Sequence, residues 1–469
     1  MNAHDELAIV DQIVGRARIA QQQFEANGSQ ESYDRAAQAA AWAIMEPARN
    51  RTLAELAVAT TGLGNVADKI TKNHRKTLGL MRDIKDAKTF GVISDNKDTG
   101  ITEIARPVGV VGAVVPSTNP AATPANNIIN ALKGGNAIIL SPSPKGIPAC
   151  ETLIDFIHDE FGKLGIDPDL VQMIPAPGSK AKTQHMLEDT DLVIVTGSQD
   201  NVRRAYTSGT PAIGVGAGNV TVIVDETADI ADAAAKIAAS KTFDNSTSCS
   251  SENALVVVDS IYDKFVAALA AQGGALVQAG DAPGVISNLW PNGHLNKAVV
   301  AQDAGPMLAA LGMADKVARK TKFLAVETEG IGPDHPLSGE KLSLVVALYR
   351  AKDFADAKTI TGHILAHQGA GHSIGLYSAE QARAHSLALG LPTCRVIVNQ
   401  AHCFATGGAF NNGMPFSLSM GCGTWGGNSI DDNLHWKHFI QTTKVIREIP
   451  AREPTPEDIF KDYWAEVGK

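Results

Sequence analysis

Apolar residues recur at three- and four-residue spacing in "LAIVDQIVGRARIA" and "YDRAAQAAAWAIMEPARN", which predicts helices over residues 5 to about 90. In "RNRTLAELAVATTGLG", Thr52 with Glu55 three residues on reads as a helix N-cap, and Gly62 and Gly64 as its stop. From residue 101 the texture changes. "VVGAVVP", "NAIILSP", "LVQMIPAPG", "TDLVIVTGS" and "TVIVDET" are short apolar runs, separated by the helical segments "ATPANNIINALKGG", "GIPACETLIDFIHDEFGKLG", "SKAKTQHMLED" and "QDNVRRAYTSG". Apolar strands alternating with amphipathic helices predict a parallel sheet covered on both faces, with ligands at the carboxyl ends of its strands. The loops at those ends are "PSTNP", "SPSPK", "PAPGS" and "TGSQD".

A second series follows residue 226: helix "TADIADAAAKIAASKTF", strand "ALVVVD", helix "SIYDKFVAALAAQGG", then strands "KLSLVVALYR", "SIGLYS" and "RVIVNQ". The segment 404–429 is long and glycine-rich, and loops of that length are usually functional. "HFIQTTKVIREIP" reads as a strand leaving the core. The expected architecture is α/β, with two parallel-sheet αβα domains and a β oligomerisation arm. Residues 1–226 form the N-terminal helices and a cofactor-binding domain, 227–430 a catalytic domain, and 431–450, with 94–109, the arm.

Composition narrows the function. At 469 residues, 44% hydrophobic and 19% charged, the chain is globular and too long for one ordinary core. A net charge of −9 with no offsetting Lys/Arg cluster argues against a nucleic-acid partner. The N-terminus lacks an apolar signal core and no run reaches membrane-spanning length, so a soluble cytoplasmic location with no membrane partner is expected. The five cysteines are scattered without a CxxC pair, so neither a metal site nor a disulfide framework is expected.

One cysteine stands apart. Cys249, in "FDNSTSCSSEN", lies among hydroxyl side chains on a turn between a helix and a strand, where a thiol is open to reaction; inert cysteines more often sit inside apolar runs. Asn119 is the fourth residue of "PSTNP" at a strand's carboxyl end, either as an amide donor or as a turn asparagine before proline. Gly197 and Ser198 in "TGSQD" begin a helix, a place that suits a diphosphate and equally a plain serine cap. "GVGAGNV" is not a dinucleotide fingerprint, because it does not open a helix directly after a strand.

"PSTNP", "GVGAGNV", "FDNSTSCSSEN", "EKLS" and "GCGTWGGNS", in that order, resemble the aldehyde dehydrogenase superfamily and, within it, the coenzyme A-acylating branch. The similarity runs over essentially the whole chain. "GITEIARPVGVVGAVVPSTNPAATPANNIINALKGGNAIILSPSPKG" and "TSCSSEN" are most like the acylating dehydrogenases of sulfoacetaldehyde. The resemblance implies Cys249 as nucleophile and Asn119, with the Cys249 backbone N–H, as oxyanion donor. It implies Glu340 at the nicotinamide ribose, the alternative being a surface ion-pairing glutamate. It matches Gly214 to the position where hydrolytic relatives carry a water-activating glutamate. Without that base a thioester survives to meet coenzyme A. Val202 stands where the usual family pattern has a later glycine, as the acylating branch often does.

Ser141, Ser143 and Lys145 in "SPSPK" match the adenosine-ribose segment; with no carboxylate there, NADP is favoured over NAD. His372, in a glycine-rich turn, either assists thiol deprotonation or is a satisfied structural histidine. Glu252 is expected to tie down the nucleophile turn. Ser248, Ser250, Thr406 and Asn411, with His402, are candidate contacts for a short anionic aldehyde, sulfoacetaldehyde before acetaldehyde- or propanal-type substrates. A hydrolytic semialdehyde dehydrogenase and a non-catalytic protein of the same fold are the rival readings. A homodimer or homotetramer is expected.

Overall fold

The computed structural model describes residues 3–216 and 218–468. Four helices come first: α1 (Ala3–Ala26), α2 (Gln30–Met45), α3 (Pro47–Thr61) and α4 (Val66–Ile84). Helix α3 starts five residues before Thr52. Pro47 supplies a preset first turn and the Glu46 side chain accepts from Arg49 N, so Thr52 is interior and its hydroxyl bonds the Ala48 carbonyl. Gly62 ends the helix in the left-handed conformation, as expected.

Strands β1 (Gly91–Asn96) and β2 (Ile101–Pro107) form an antiparallel ribbon. Then come β3 (Val110–Val115), β4 (Ala137–Pro142), β5 (Val171–Met173), β6 (Leu192–Thr196) and β7 (Ala212–Val215), a parallel sheet in the order β5-β4-β3-β6-β7. The order reverses between β3 and β6, and the crevice outside their carboxyl ends is where such sheets take ligands. The expected strand runs are all present; β7 lies between "QDNVRRAYTSG" and "TVIVDET", where the sequence pattern predicts no strand.

A second parallel sheet holds β8 (Val220–Val224), β9 (Glu252–Val258), β10 (Gly274–Leu276), β11 (Phe323–Glu327), β12 (Val345–Ala351), β13 (Ile374–Tyr377) and β14 (Val396–Val398). Its order is β10-β11-β12-β9-β8-β13-β14. Strand β8 pairs with β9 and β13, so the second sheet begins before residue 226, where local pattern had divided the chain. Hydrogen-bonding partners, which a local pattern does not contain, set that boundary.

Two apolar cores lie apart. One joins α1 and α2 to β3–β6; the other fills the space around β8–β13. Phe416, Leu434 and Phe439 belong to the first core, so the glycine-rich segment returns across the crevice to the first sheet. Strand β15 (Ile440–Ile446) pairs antiparallel with β2, from Ile440 opposite Pro107 to Ile446 opposite Ile101. This ribbon stands largely exposed, with Ile446 at 73%. A helix at Pro456–Val467, not expected from the sequence, has Ile459, Phe460 and Tyr463 exposed. Among the described residues no helix is long and apolar enough to cross a membrane.

Candidate active site

Asp244, Asn245 and Ser246 all have positive φ, 48°, 53° and 62°, a costly left-handed run for residues other than glycine. Tertiary bonds hold it. Asn65 N donates to Asp244 Oδ1 at 3.0 Å, Lys69 Nζ to Oδ2 at 3.1 Å and Thr247 Oγ1 to Oδ2 at 2.7 Å. Lys72 also donates to Oδ2, and Asp244 N donates to Asp68 at 2.8 Å. Burial pushes the Asp244 carboxyl up, but Lys72 and Lys69 overcome it and hold it below its usual range. Asn245 donates to Asp303 at 2.8 Å and Ser246 to the Lys241 carbonyl at 2.6 Å. Gly64 must be glycine here, since a Cβ would lie 1.9 Å from Asp244 Oδ1 and its φ is +73°.

The turn delivers Cys249 to the wall of a cavity of about 350 Å³, between the carboxyl ends of β3 and β6 and the start of β9. Asn119, Gly197, Ser198, Gly216, Ser248, Ser250 and Glu340 share that wall. The backbone around Gly218 presses against the nucleophile; a Cβ there would lie 2.2 Å from the Cys249 carbonyl oxygen. Lys72 Nζ donates to Asn119 Oδ1 at 2.9 Å, which fixes the amide; its NH₂ donates to Thr118 Oγ1 at 3.5 Å and keeps a second proton. His372 Nε2 lies 3.3 Å from Cys249 Sγ, and its Nδ1 is 2.7 Å from Ser373 Oγ.

The resting thiol is not ionised. Burial, then Glu340 and Cys422, push Cys249 up to about 12. Burial, then Arg395 and His402, hold His372 down to about 3, so the pair is neutral at neutral pH. Burial pushes Glu340 up to about 8, against Lys341, a hydrogen bond from the Gly218 backbone and Lys241. Glu340 is the one carboxylate on the cavity wall among the described residues.

Several sequence candidates lie elsewhere. Gly214 lies in β7 with its hydrogen facing away from the cavity; a Cβ there would lie 2.7 Å from Val202 and 3.0 Å from the Tyr206 ring. Tyr206 accepts from Gly214 N at 3.0 Å. Gly216, just beyond the end of β7, lines the cavity instead. Ala217, within "GVGAGNV", lies outside the described residues. Ser141 is turned to Thr183, 2.8 Å away, while Ser143 and exposed Lys145 stand beyond the cavity at the end of β4. Thr406 is buried under the site, bonded to His402 Nδ1 at 3.0 Å, and Asn411 is exposed. His402 is buried too, 2.9 Å from the Ser250 carbonyl. Glu252 is buried at the start of β9 beside Lys241 and does not reach the cavity.

The sequence reading missed α4. Lys72, Arg75 and Lys76 line the cavity. A charged helix normally faces water, and "DKITKNHRKTLGLMRD" reads that way. The available signal was register: Lys69, Lys72, Lys76, Leu80 and Ile84 share one helical face, and Leu80 and Ile84 are apolar.

Gly197, at φ +152°, has open space in front of it, with Pro116 Cβ 4.0 Å from where a side chain would begin, and it lies at the β3/β6 crevice before the helix Gln199–Tyr206.

Comparison with known proteins follows this geometry. The aldehyde dehydrogenase family pattern matches residues 4–286. An acylating sulfoacetaldehyde dehydrogenase of Cupriavidus necator is 56% identical over 97% of this chain and 92% of its own. An acetylating aldehyde dehydrogenase from Geobacillus thermoglucosidasius superposes with a TM-score of 0.91 at 32% identity, covering 97% of this chain and 99% of that one. A propionaldehyde dehydrogenase from Rhodopseudomonas palustris, solved with bound CoA and an acylated cysteine, gives 0.83 at 25% identity, over 93% and 97%. The chain belongs to the aldehyde dehydrogenase family.

Proposed function

We propose that the protein is a coenzyme A-acylating aldehyde dehydrogenase that converts a short anionic aldehyde, sulfoacetaldehyde first, to its acyl-CoA with NAD(P), reversibly. The observation that carries the reading is a thiol that shares a cavity wall with the Asn119 amide, with glycine and no carboxylate at position 214. Val202 and Tyr206 fill the space a side chain there would need. The 56% identity with the acylating sulfoacetaldehyde dehydrogenase supports the same reading.

Cys249 Sγ attacks the aldehyde carbon and its proton passes to His372 Nε2. The new oxyanion is held by the Asn119 amide and the Cys249 backbone N–H. A bound nicotinamide would supply the hydride acceptor that lets the oxyanion collapse to a thioester on Cys249. His372 Nε2, 3.3 Å from Sγ, is in reach to relay the Cys249 proton and return it when the coenzyme A thiol displaces Cys249; burial holds it down to about 3, so it carries the proton only transiently. Gly197, Ser198 and Gly216 would hold the dinucleotide beside the nucleophile, and Glu340 its ribose. NADP is favoured over NAD: exposed Lys145 enters no ion pair among the described residues, and the end of β4 carries no carboxylate. The exposed β15 ribbon joins a second copy in a cytoplasmic homodimer or homotetramer.

The test is coenzyme A-dependent reduction of NADP and NAD with sulfoacetaldehyde, acetaldehyde and propanal, with acyl-CoA identified by mass. Rapid free acid without coenzyme A overturns the acylating reading. A Cys249 that iodoacetamide does not label overturns the nucleophile.

A further inference from the structure

The cations of α4 divide into two pairs with different surroundings. Lys69 and Lys72 share Asp244, and all three protons of Lys72 have acceptors in Asp244, Asn119 and Thr247. Arg75 and Lys76 have no carboxylate partner among the described residues. Arg75 Nη2 donates to the carbonyls of Phe404 at 3.1 Å and Gly408 at 3.3 Å. Lys76 Nζ donates to the carbonyls of Gly407 and, at 3.0 Å, Ser417. These acceptors are neutral. The Phe416 ring lies under both cations, 5.5 and 5.8 Å away. Two adjacent cations, one fully buried, are costly without a counter-charge, and the remaining lining carboxylate, Glu340, is pushed towards its neutral form. Lys76 keeps one proton and Arg75 its Nη1 and Nε donors without a recorded acceptor. Both side chains line the cavity that holds Cys249.

We propose that Arg75 and Lys76 recognise the anionic group of the aldehyde, a sulfonate or carboxylate within a carbon or two of the carbonyl, and so determine substrate class. This rests on the acylating reading above. The anion supplies the counter-charge the fold omits, and a charged hydrogen bond in a dry site discriminates strongly against a neutral substrate, whose binding leaves the cations unpaired. Burial, then Arg75 and Lys72 against Cys403 and Cys249, holds Lys76 down to about 7. Those are the charged and titratable groups facing it from its own helix, from the His402–Ala405 turn and from the nucleophile turn. Anion affinity therefore falls as pH rises through about 7, where free Lys76 loses its proton.

The experiment compares kcat/KM for sulfoacetaldehyde, its carboxylate analogue 3-oxopropanoate, and propanal in the wild type, Arg75→Leu, Lys76→Met and Lys76→Arg. The anion-to-propanal ratio is expected to fall roughly 10- to 100-fold in the Leu and Met variants, and to be kept by Lys76→Arg. Whichever of the two anions has the higher wild-type kcat/KM identifies the group. A second readout needs no turnover. Ethanesulfonate should slow iodoacetamide labelling of Cys249 in the wild type, less so above pH 7, and not in the Arg75→Leu/Lys76→Met double variant. Equal losses for all three aldehydes overturn the proposal, as does a rise in KM for coenzyme A with the aldehyde ratio unchanged. If no aldehyde is turned over with coenzyme A, the acylating reading fails; ethanesulfonate protection that depends on Arg75 and Lys76 still supports the anion site.

Discussion

The nucleophile turn and helix α4 face each other across one cavity and differ in almost every other respect. The turn, residues 243–252, advertises itself by composition: one thiol among hydroxyls. Helix α4 looks like a solvated surface helix. Yet the turn is held by α4, because a run of three left-handed residues is kept in place by Asp244, and Asp244 is kept ionised by Lys69 and Lys72. The contrast teaches that the reacting atom and the charges that position it come from sequence regions with opposite local signatures.

Cys249→Ala breaks the turn's side of the comparison most severely. Turnover should fall by about 10⁴-fold or more, since the covalent step has no substitute, while near-ultraviolet circular dichroism stays unchanged. Retained turnover defeats the assignment. Asp244→Asn attacks the link between the regions. It leaves two buried lysines without a counter-charge, and urea unfolding should show a loss of about 3–5 kcal/mol. A loss under 1 kcal/mol would mean the lysines do not depend on Asp244. Asn119→Ala should cut kcat by roughly 100- to 1000-fold, or about 2.7–4 kcal/mol, with a smaller effect on KM. An effect on KM alone places Asn119 in binding instead.

Gly214→Glu sharpens what the cavity lacks. The new side chain meets Val202 and Tyr206, so it should destabilise by about 1–3 kcal/mol without raising free-acid formation. Pairing it with Val202→Gly removes the nearer of the two clashes and should recover part of that loss. Free acid from the single variant would show that the position opens to the cavity after all. The smallest effect is in pH dependence. Cys249 is pushed up to about 12, so its labelling rate should keep climbing with pH through the neutral and mildly alkaline range. A plateau near pH 7 would reveal a thiolate–imidazolium pair in the resting enzyme.

The alternation of apolar runs and amphipathic helices was enough to read the parallel sheets, and "PSTNP" and "TGSQD" were correctly placed at strand ends facing the crevice. Cys249, Asn119, Gly197, Ser198, Ser248, Ser250 and Glu340 meet in one cavity. Thr406 and Asn411 do not join them, because a polar loop residue carries no local sign of which way it faces. Gly214 failed because its open side faces Val202 and Tyr206 rather than the cavity, and the assignment of β8 failed on pairing partners separated by about 30 to 150 residues.

Sequence alone therefore determined the alternation of strands and helices in the two parallel sheets, and singled out Cys249 and Asn119, which meet on one cavity wall. These depend on periodicity and on local chemistry, which are written within a few residues. The tertiary structure decided which charges meet that chemistry. Whether a lysine is solvated or buried depends on what packs over its helix face, and for Lys72 and Lys76 the covering residues, Asp244, Thr247, Gly407 and Ser417, lie 170 to 340 positions away in the chain.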